Sequence, residues 1–268
     1  MTKRSKTRSK RIENRKTSRR NNWAIVPNFA DTVRRIRDDL GLTRDDVAAI
    51  SRAHLARLEN GHRPTEQMIE HLVTAYDADE DLTRHLRELS SPAEHLDADS
   101  NVRARIQADP ILREQLDHLD RRGILGAYVD PLWNVLFANR VFHETLSGID
   151  ELQSLALWQF SQAAEEILLD IEHERAHTVA CLRASAGRFR DSPHTNRLLR
   201  QLIAIPEFQR LWSGPIRVEY GRPLQDLIHA RDRSGQHASF RVGFTDWIPP
   251  HRVQLITAER VPSPGPSA

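Results

Sequence analysis

Between residues 28 and 89 the apolar residues recur at helix spacing, in runs too short for any one helix to bury itself. Phe29, Val33, Ile36 and Leu40 fall at i, i+4, i+7 and i+11, one helix face, and Gly41 supplies the stop. Thr43 stands where an N-cap belongs, with Asp45 and Asp46 in the first turn, and Val47 and Ile50 give that helix a buried side. Ser51 caps a third helix, with Leu55 and Leu58 inward and Asn60-Gly61 as its end. Pro64 opens a fourth with Met68, Leu72, Val73 and Tyr76, and Leu82, Leu86 and Leu89 mark a fifth. Such helices are stable only when packed on one another, so a small bundle over residues 23–90 is predicted.

After a polar, acidic reach the pattern changes. Residues 91–105 read as a linker, and Ile111, Leu112, Leu116 and Leu119 then form an amphipathic helix that Gly123 ends. Residues 125–128 and 135–138 are short apolar runs around Asp130-Pro131, which predicts two strands and a turn. Residues 152–189 read as mainly helical, and helices continue through Leu198, Leu202, Phe208 and Trp212. Residues 216–220, 238–244 and 253–258 read as three more strands. The fold class is therefore a mainly α N-terminal domain of five helices and an α+β domain over 106–262, with a frayed tail at 263–268.

Charge is divided unevenly along the 268 residues. Residues 1–22 hold ten Lys or Arg against one Glu, the remainder 29 basic against 36 acidic residues, so a +9 arm precedes a −7 body. All four lysines (Lys3, Lys6, Lys10, Lys16) lie in that arm, which has no apolar periodicity and reads as disordered. A compact basic arm points to a polyanion, with nucleic acid the usual one. The single cysteine, Cys181, rules out an internal disulfide framework and fits a reducing cytosol. No apolar run approaches a membrane span, and residues 23–26 are too short for a secretory h-region, so a cytoplasmic protein without a membrane partner is expected.

Two stretches, Leu42-Thr-Arg-Asp-Asp-Val-Ala-Ala-Ile-Ser and His54-Leu-Ala-Arg-Leu-Glu-Asn-Gly-His-Arg-Pro-Thr, resemble the XRE family, the helix-turn-helix repressors similar to phage lambda repressor. The Arg57-Leu58-Glu59-x-Gly61 ending is the most specific part. The resemblance implies that the third helix enters the major groove of double-stranded DNA by its N-terminal end, in a homodimer on two half-sites. Mapped here, Thr43, Arg44, Ser51, Arg52, Ala53, His54, Arg57 and Arg63 are the DNA-facing residues. Arg52 and His54 suit base edges, and Arg44 and Arg63 suit phosphate. Arg57 is placed either on DNA or in an ion pair with Glu59. One departure stands out: Thr43 to Ser51 is eight positions, which shortens the family's turn by about 3.6 residues, one helical turn.

A second resemblance lies in Ala127-Tyr-Val-Asp-Pro-Leu-Trp-Asn-Val-Leu-Phe-Ala-Asn139, His177-Thr-Val-Ala-Cys-Leu-Arg183, Pro206-Glu-Phe-Gln-Arg-Leu-Trp212 and Phe240-Arg-Val-Gly-Phe. In that order these resemble the ligand-binding domain of MmyB-like regulators, which implies a PAS-like fold around an apolar pocket for a fatty-acyl-like small molecule. The candidate ligand-binding residues are Tyr128, Trp133, Phe137, Asn139, Phe142, Trp158, Phe160, Phe208 and Trp212. The family's His-Pro-x-x-Gly is replaced by residues 225–235, which leaves closure of the pocket on that side open.

His173-Glu-Arg-Ala-His177 matches the zinc-protease motif. At about 100° per residue from Ile167, residues Leu168, Ile171, Val179 and Leu182 share the apolar face and both histidines point to solvent. No extended zinc motif follows. The expectation is a ligand-modulated, sequence-specific DNA-binding regulator, not an enzyme, with no catalytic residues, cofactor or metal. The alternatives are a helix-turn-helix protein fused to a zinc protease, or a protein-interaction module with a degenerate helix-turn-helix.

Overall fold

The computed structural model describes residues 25–47, 49–97, 99–232, 234–246 and 253–262, so the basic arm 1–22 and the tail 263–268 lie outside the described residues. Four N-terminal helices are each opened by a side chain that accepts a backbone N–H the helix cannot satisfy itself. These are α1 (Phe29–Asp39) on Asn28, α2 (Arg52–Leu58) on Ser51, α3 (Glu66–Ala75) on Thr65 and α4 (Glu80–Ser90) on Asp79. Gly61, at φ +93°, turns the chain out of α2 in the left-handed conformation expected of a helix stop. Phe29, Val33, Ile36, Leu55, Leu58, Ile69, Leu72, Leu86 and Leu89 make one core.

The second of the five expected helices does not form. Residues 43–47 and 49–50 make turns, so the bundle has four helices among the described residues. Within so short a segment the Asp46 carboxylate folds back to accept from the Thr43 N–H (2.7 Å) and hydroxyl (2.6 Å). The Ile50 N–H reaches only three residues back, to Val47 O at 3.1 Å. Val47 and Ile50 are nevertheless buried at 0% and 5% exposure, so the contracted segment still seals the core.

Residues 91–97 follow the surface of the second domain: the Glu94 N–H donates to Arg188 O, and Leu96 joins that domain's core. Helices α5 (Asp99–Ala108) and α6 (Pro110–Arg121) lead to strands β1 (Leu125–Val129) and β2 (Val135–Ala138). Four short helices follow: α7 (Arg140–Thr145), α8 (Ile149–Leu152), α9 (Leu155–Trp158) and α10 (Gln162–Ile167). The long α11 (Ile171–Arg188), α12 (Pro193–Ile203) and α13 (Pro206–Trp212) come next. Strands β3 (Ile228–Arg231), β4 (His237–Asp246) and β5 (Gln254–Val261) complete the chain.

The five strands form one antiparallel sheet in the order β2-β1-β5-β4-β3. Side chains alternate between its faces. Tyr128, Leu136 and Leu255 meet Val102, Ile106, Leu112 and Leu116 of α5 and α6. Leu125, Ala127, Val242 and Ile256 meet Phe142, Ile149, Trp158 and Ala164 on the other side. Gly126 allows α6 to lie close, since a Cβ there would stand 2.7 Å from Leu119 Cδ1.

The expected strand at 216–220 is a correction. Those residues form an extended strap outside the sheet, and the fifth strand is β3. The strap's groups are already engaged: Arg217 O accepts from Arg183 Nη1, Val218 is buried, and Glu219 and Tyr220 bond to helices on either side.

Candidate functional site

The pocket-side face of the sheet does not close fully on its helices. A cleft enclosing about 870 Å³ of empty space, including the part open to solvent, lies between β1, β3, β4 and β5 and the helices α7, α9, α10 and α11. Register explains its apolar wall. Val242 pairs with Ala258 and Phe244 with Ile256, so all four stand on the same face and line the cleft. Strand β3 adds Ile228 and Ala230, and its edge is joined to the helical side by Leu169 N–H to His229 O at 2.9 Å. The closing strand on this side, Ile228–Arg231, thus comes from within the stretch whose part in closing the pocket was open in the sequence.

Trp133 is aimed into the cleft by an unusual backbone. Its φ is +63°, a left-handed conformation that a bulky residue adopts at a cost of about 1–3 kcal/mol. Asp130 holds the turn, its carboxylate accepting from Leu132 N (2.8 Å), Asn134 N (2.8 Å) and Asn134 Nδ2 (2.7 Å). The indole then stacks on Phe244, with ring centroids 6.2 Å apart.

One corner of the cleft is charged. Glu174 and His177, from α11, line it with Arg222. Arg222 Nη2 donates to Glu174 Oε2 at 2.5 Å, and both side chains are almost fully buried. Burial pushes the Glu174 carboxyl above its ordinary value, against the pull of Arg222. His177 Nδ1 bonds to Glu219, and that bond holds the Glu219 carboxyl below its usual range. The other ring nitrogen, Nε2, lies 3.6 Å from Cys181 Sγ. His177, Cys181 and Glu219 are close enough for one ion to touch all three. Both histidine nitrogens are already engaged, however, and burial pushes the Cys181 thiol up, away from the thiolate a metal needs.

The same elements run to the N-terminal bundle. At about 1.5 Å per residue, α11 carries its axis about 20 Å from Glu174 to Gly187. There a Cβ would stand 2.6 Å from His85 Cε1 of α4. His85 is wholly buried and its pKa is pushed down to about 3, first by burial and then by Arg183 and Arg190. Arg35 of α1 donates to Trp212 O (2.9 Å) and Gly214 O (2.8 Å). Along the strap Ile216 packs on the bundle core, and Tyr220 donates to Glu88 with its ring under Arg84.

On the bundle's surface Thr43, Ser51, Arg52, Ala53, His54, Arg57 and Arg63 are exposed. The Ser51 hydroxyl caps α2 and bonds the His54 ring at 3.2 Å, and Arg52 pairs loosely with Asp45 at 3.3 Å.

Two family models match this chain. One, described as a helix-turn-helix domain, covers residues 28–86; the other, the MmyB-like transcription regulator ligand binding domain, covers residues 108–219. The chain joins a helix-turn-helix domain to an MmyB-like ligand-binding domain. This is the make-up of a DNA-binding transcription regulator with a ligand-binding domain. A comparison with curated proteins finds no match. No helix among the described residues is long and apolar enough to cross a membrane. The match to the MmyB-like domain ends within the strap, and β3–β5 complete the sheet beyond it.

Of the nine residues proposed for the MmyB-like pocket, Trp133, Phe142 and Trp158 line the cleft. The other six are elsewhere. Tyr128 is on the opposite face, its hydroxyl donating to Gln115 Oε1 (2.7 Å) and Leu112 O (3.2 Å) of α6, and Phe137 packs in that same layer. Asn139 caps α7 and ties it to Ile124 O and the Gly126 N–H. Phe208 stacks on Trp212 and meets Phe160 edge to face in the α11–α13 core. Glu174, His177 and Arg222 were missed. A helical phase carried from Ile167 crosses a break, since Leu168 is extended (ψ 132°) and α11 starts afresh at Ile171. His177 therefore faces inward, while His173 is half exposed and pairs with Asp226 at 3.3 Å. The two histidines are held by different carboxylates, and Glu174, the base of a zinc protease, is committed to Arg222.

In the helix-turn-helix domain Arg44 is also a correction. It is not a free surface cation: it pairs with Glu59 at 2.6 Å, and that carboxylate, 2% exposed, is held from the other side by Arg37. Glu59 is thereby taken by these two arginines, and Arg57 stays exposed.

Proposed function

We propose that this chain is a cytoplasmic, sequence-specific DNA-binding regulator whose grip on DNA is set by a small, apolar, fatty-acyl-like molecule in the cleft. The carrying observation is that one helix, α11, lines the cleft at Glu174 and His177 and packs on the helix-turn-helix domain at Gly187. Occupancy of the cleft bears on that helix and on the strap beside it, which shifts the balance between two arrangements of the domains. The strand order β2-β1-β5-β4-β3 supports the PAS-like reading of the sensor. The exposed row Arg52, Ala53, His54 and Arg57, with Arg63 beyond, supports a DNA face on α2, used by a homodimer on two half-sites.

A second reading has its own observation. Residues 43–47 and 49–50 of the contracted segment are not helical, so α2 lacks the helix that ordinarily crosses the backbone and fixes its angle in the groove. On this reading the domain is a protein-interaction module. Selection from random oligonucleotides with the full chain, repeated with dodecanoate, decides between them. Paired half-sites whose affinity changes with the fatty acid support regulation; absence of sequence preference at every salt concentration supports the interaction module.

A further inference from the structure

Guanidinium groups that the fold buries elsewhere stand on carboxylates: Arg37 on Glu59, Arg175 on Glu165 and Arg222 on Glu174. The seam between the two domains is built differently. Arg183 of α11, 2% exposed, donates from Nη1 to Arg217 O (2.6 Å) and from Nη2 to Trp212 O (3.0 Å), and its Nε has no hydrogen-bond partner among the described residues. Arg35 of α1 donates to the same Trp212 O, which brings two guanidiniums onto one carbonyl. Arg190, further along the chain, donates to Glu88 O and Gly187 O. Carbonyl oxygens satisfy N–H groups but carry no net charge. A buried cation facing only such groups is costly, and two close cations repel each other. The carboxylate that bears on Arg183 is Asp39, which is exposed at the end of α1 and acts through space. Burial, and then the nearness of Arg35, hold the Arg183 guanidinium below its ordinary pKa.

A second, smaller cavity of about 280 Å³, counting its part open to solvent, lies against this pair. Arg35, Arg183 and Trp212 line it, with Asn28 and Thr32 from the start of α1. Its one acidic lining residue, Asp31, is already paired: the carboxylate meets Arg34 and accepts from Asn28 Nδ2 at 2.9 Å. We infer that this cavity is a site for a small inorganic anion of halide size, with chloride the type, held between Arg35 and Arg183 with the Arg183 Nε–H as a donor. Both Nη atoms of Arg183 are drawn to carbonyls, so the two-pronged fork that recognises phosphate or carboxylate oxygens is not free. A spherical ion needs only the remaining donor and the charge. The bound anion offsets both guanidiniums and touches α1 of the helix-turn-helix domain and α11 of the MmyB-like domain at once. It therefore helps tie the domains together, whatever the cleft between sheet and helices holds.

Trp212 lines the cavity, and its ring centroid lies 4.9 Å from Arg183 Cζ, so tryptophan fluorescence should follow occupancy. The full-length protein is titrated with sodium chloride at constant ionic strength, the balance made up with sodium gluconate, whose anion is too large for the space. Chloride should give a saturable change that gluconate does not. Arg183→Gln and, separately, Arg35→Gln should each raise the half-saturating chloride by about tenfold or more, the scale of a hydrogen bond to a charged group. In crystals grown with bromide, an anomalous scatterer should sit between Arg35 and Arg183. Should Arg183→Gln fail to fold, Arg35→Gln and the bromide position carry the test. A fluorescence change that is the same in chloride and in gluconate, unaltered half-saturation in the variants, or no bromide at this place overturns the site. A response to phosphate without one to chloride overturns the halide-sized assignment.

Discussion

The Tyr220 hydroxyl donates to Glu88 Oε2 at 2.6 Å, joining the strap of the MmyB-like domain to α4 of the helix-turn-helix domain. Its neighbour Glu219 holds His177, and Arg222, two residues on, holds Glu174. Three nearby residues of one segment thus touch both the cleft and the DNA-binding domain. Tyr220→Phe should leave dodecanoate binding, read by tryptophan fluorescence, essentially unchanged. It should shrink the effect of the fatty acid on DNA affinity, by at most the about 1.5–3 kcal/mol of a hydrogen bond to a charged group. A ligand response of undiminished size would rule the strap out as the coupling element.

Arg44 and Arg52 should behave oppositely. Arg44→Ala leaves the buried Glu59 with Arg37 alone and should lower stability by about 1–3 kcal/mol in a denaturant titration. Arg52 is 71% exposed and only loosely paired, so Arg52→Ala should move stability by no more than about 0.5 kcal/mol. On DNA, Arg52→Ala should cost about 1–3 kcal/mol at a selected site and far less on random sequence. An intact ratio of specific to random binding would mean that α2 does not read bases.

His85 makes the domain seam sensitive to acid. An unfolded histidine titrates near 6.5, whereas burial and the adjacent Arg183 and Arg190 hold His85 near 3. Between those values the unfolded chain binds the extra proton, so stability is present at neutral pH and is lost as pH falls. For one proton the slope is about 1.4 kcal/mol per pH unit. Unfolding free energies from urea titrations at about pH 7 and about pH 5 should differ less in His85→Leu than in the parent, by about 2 kcal/mol; an identical pH dependence would remove His85 from the account.

Gly187 of α11 lies against His85 and Leu89 of α4. Gly187→Ala places a methyl group 2.6 Å from His85 Cε1, so the buried imidazole or one of the two helices has to shift. An overpacking loss of about 1–3 kcal/mol is expected in thermal unfolding. A melting temperature at or above that of the parent would show that the seam yields freely.

The basic arm is tested by deletion of residues 1–22. If its ten Lys and Arg meet phosphate, the truncated protein binds all sequences more weakly to a similar degree. The log–log salt dependence also flattens, by about 0.9 for each phosphate that the arm had neutralised. An unchanged slope would separate the arm from DNA binding.

Much of the architecture was legible from residue order alone. Asn60-Gly61, Ser51 and the strands flanking Asp130-Pro131 are local signals, in which a cap, a left-handed glycine or a period of two acts within a few residues. The same local reading failed where a local signal had a nonlocal competitor. Thr43 promised a helix, but eight positions to the next cap were too few once Asp46 had folded back onto it. Residues 216–220 alternate like a strand, yet their partners are Arg183, His177 and Glu88, which lie 34 to 132 residues away in sequence.

By itself the sequence determined two domains, their classes, the capped helix α2 with its exposed Arg52 and His54, and an aromatic supply for a sensor. Tertiary structure alone decided which aromatics meet a cleft and which fill a core. Tyr128 and Leu125 are three residues apart on one strand, and the pleat sends them to opposite faces. It also decided that Glu174, His177 and Arg222 share one buried corner. A helix buried nearly all round, as α11 is, has no apolar stripe to reveal its phase, and Arg222 is brought to it by a strap whose path is set by contacts with both domains.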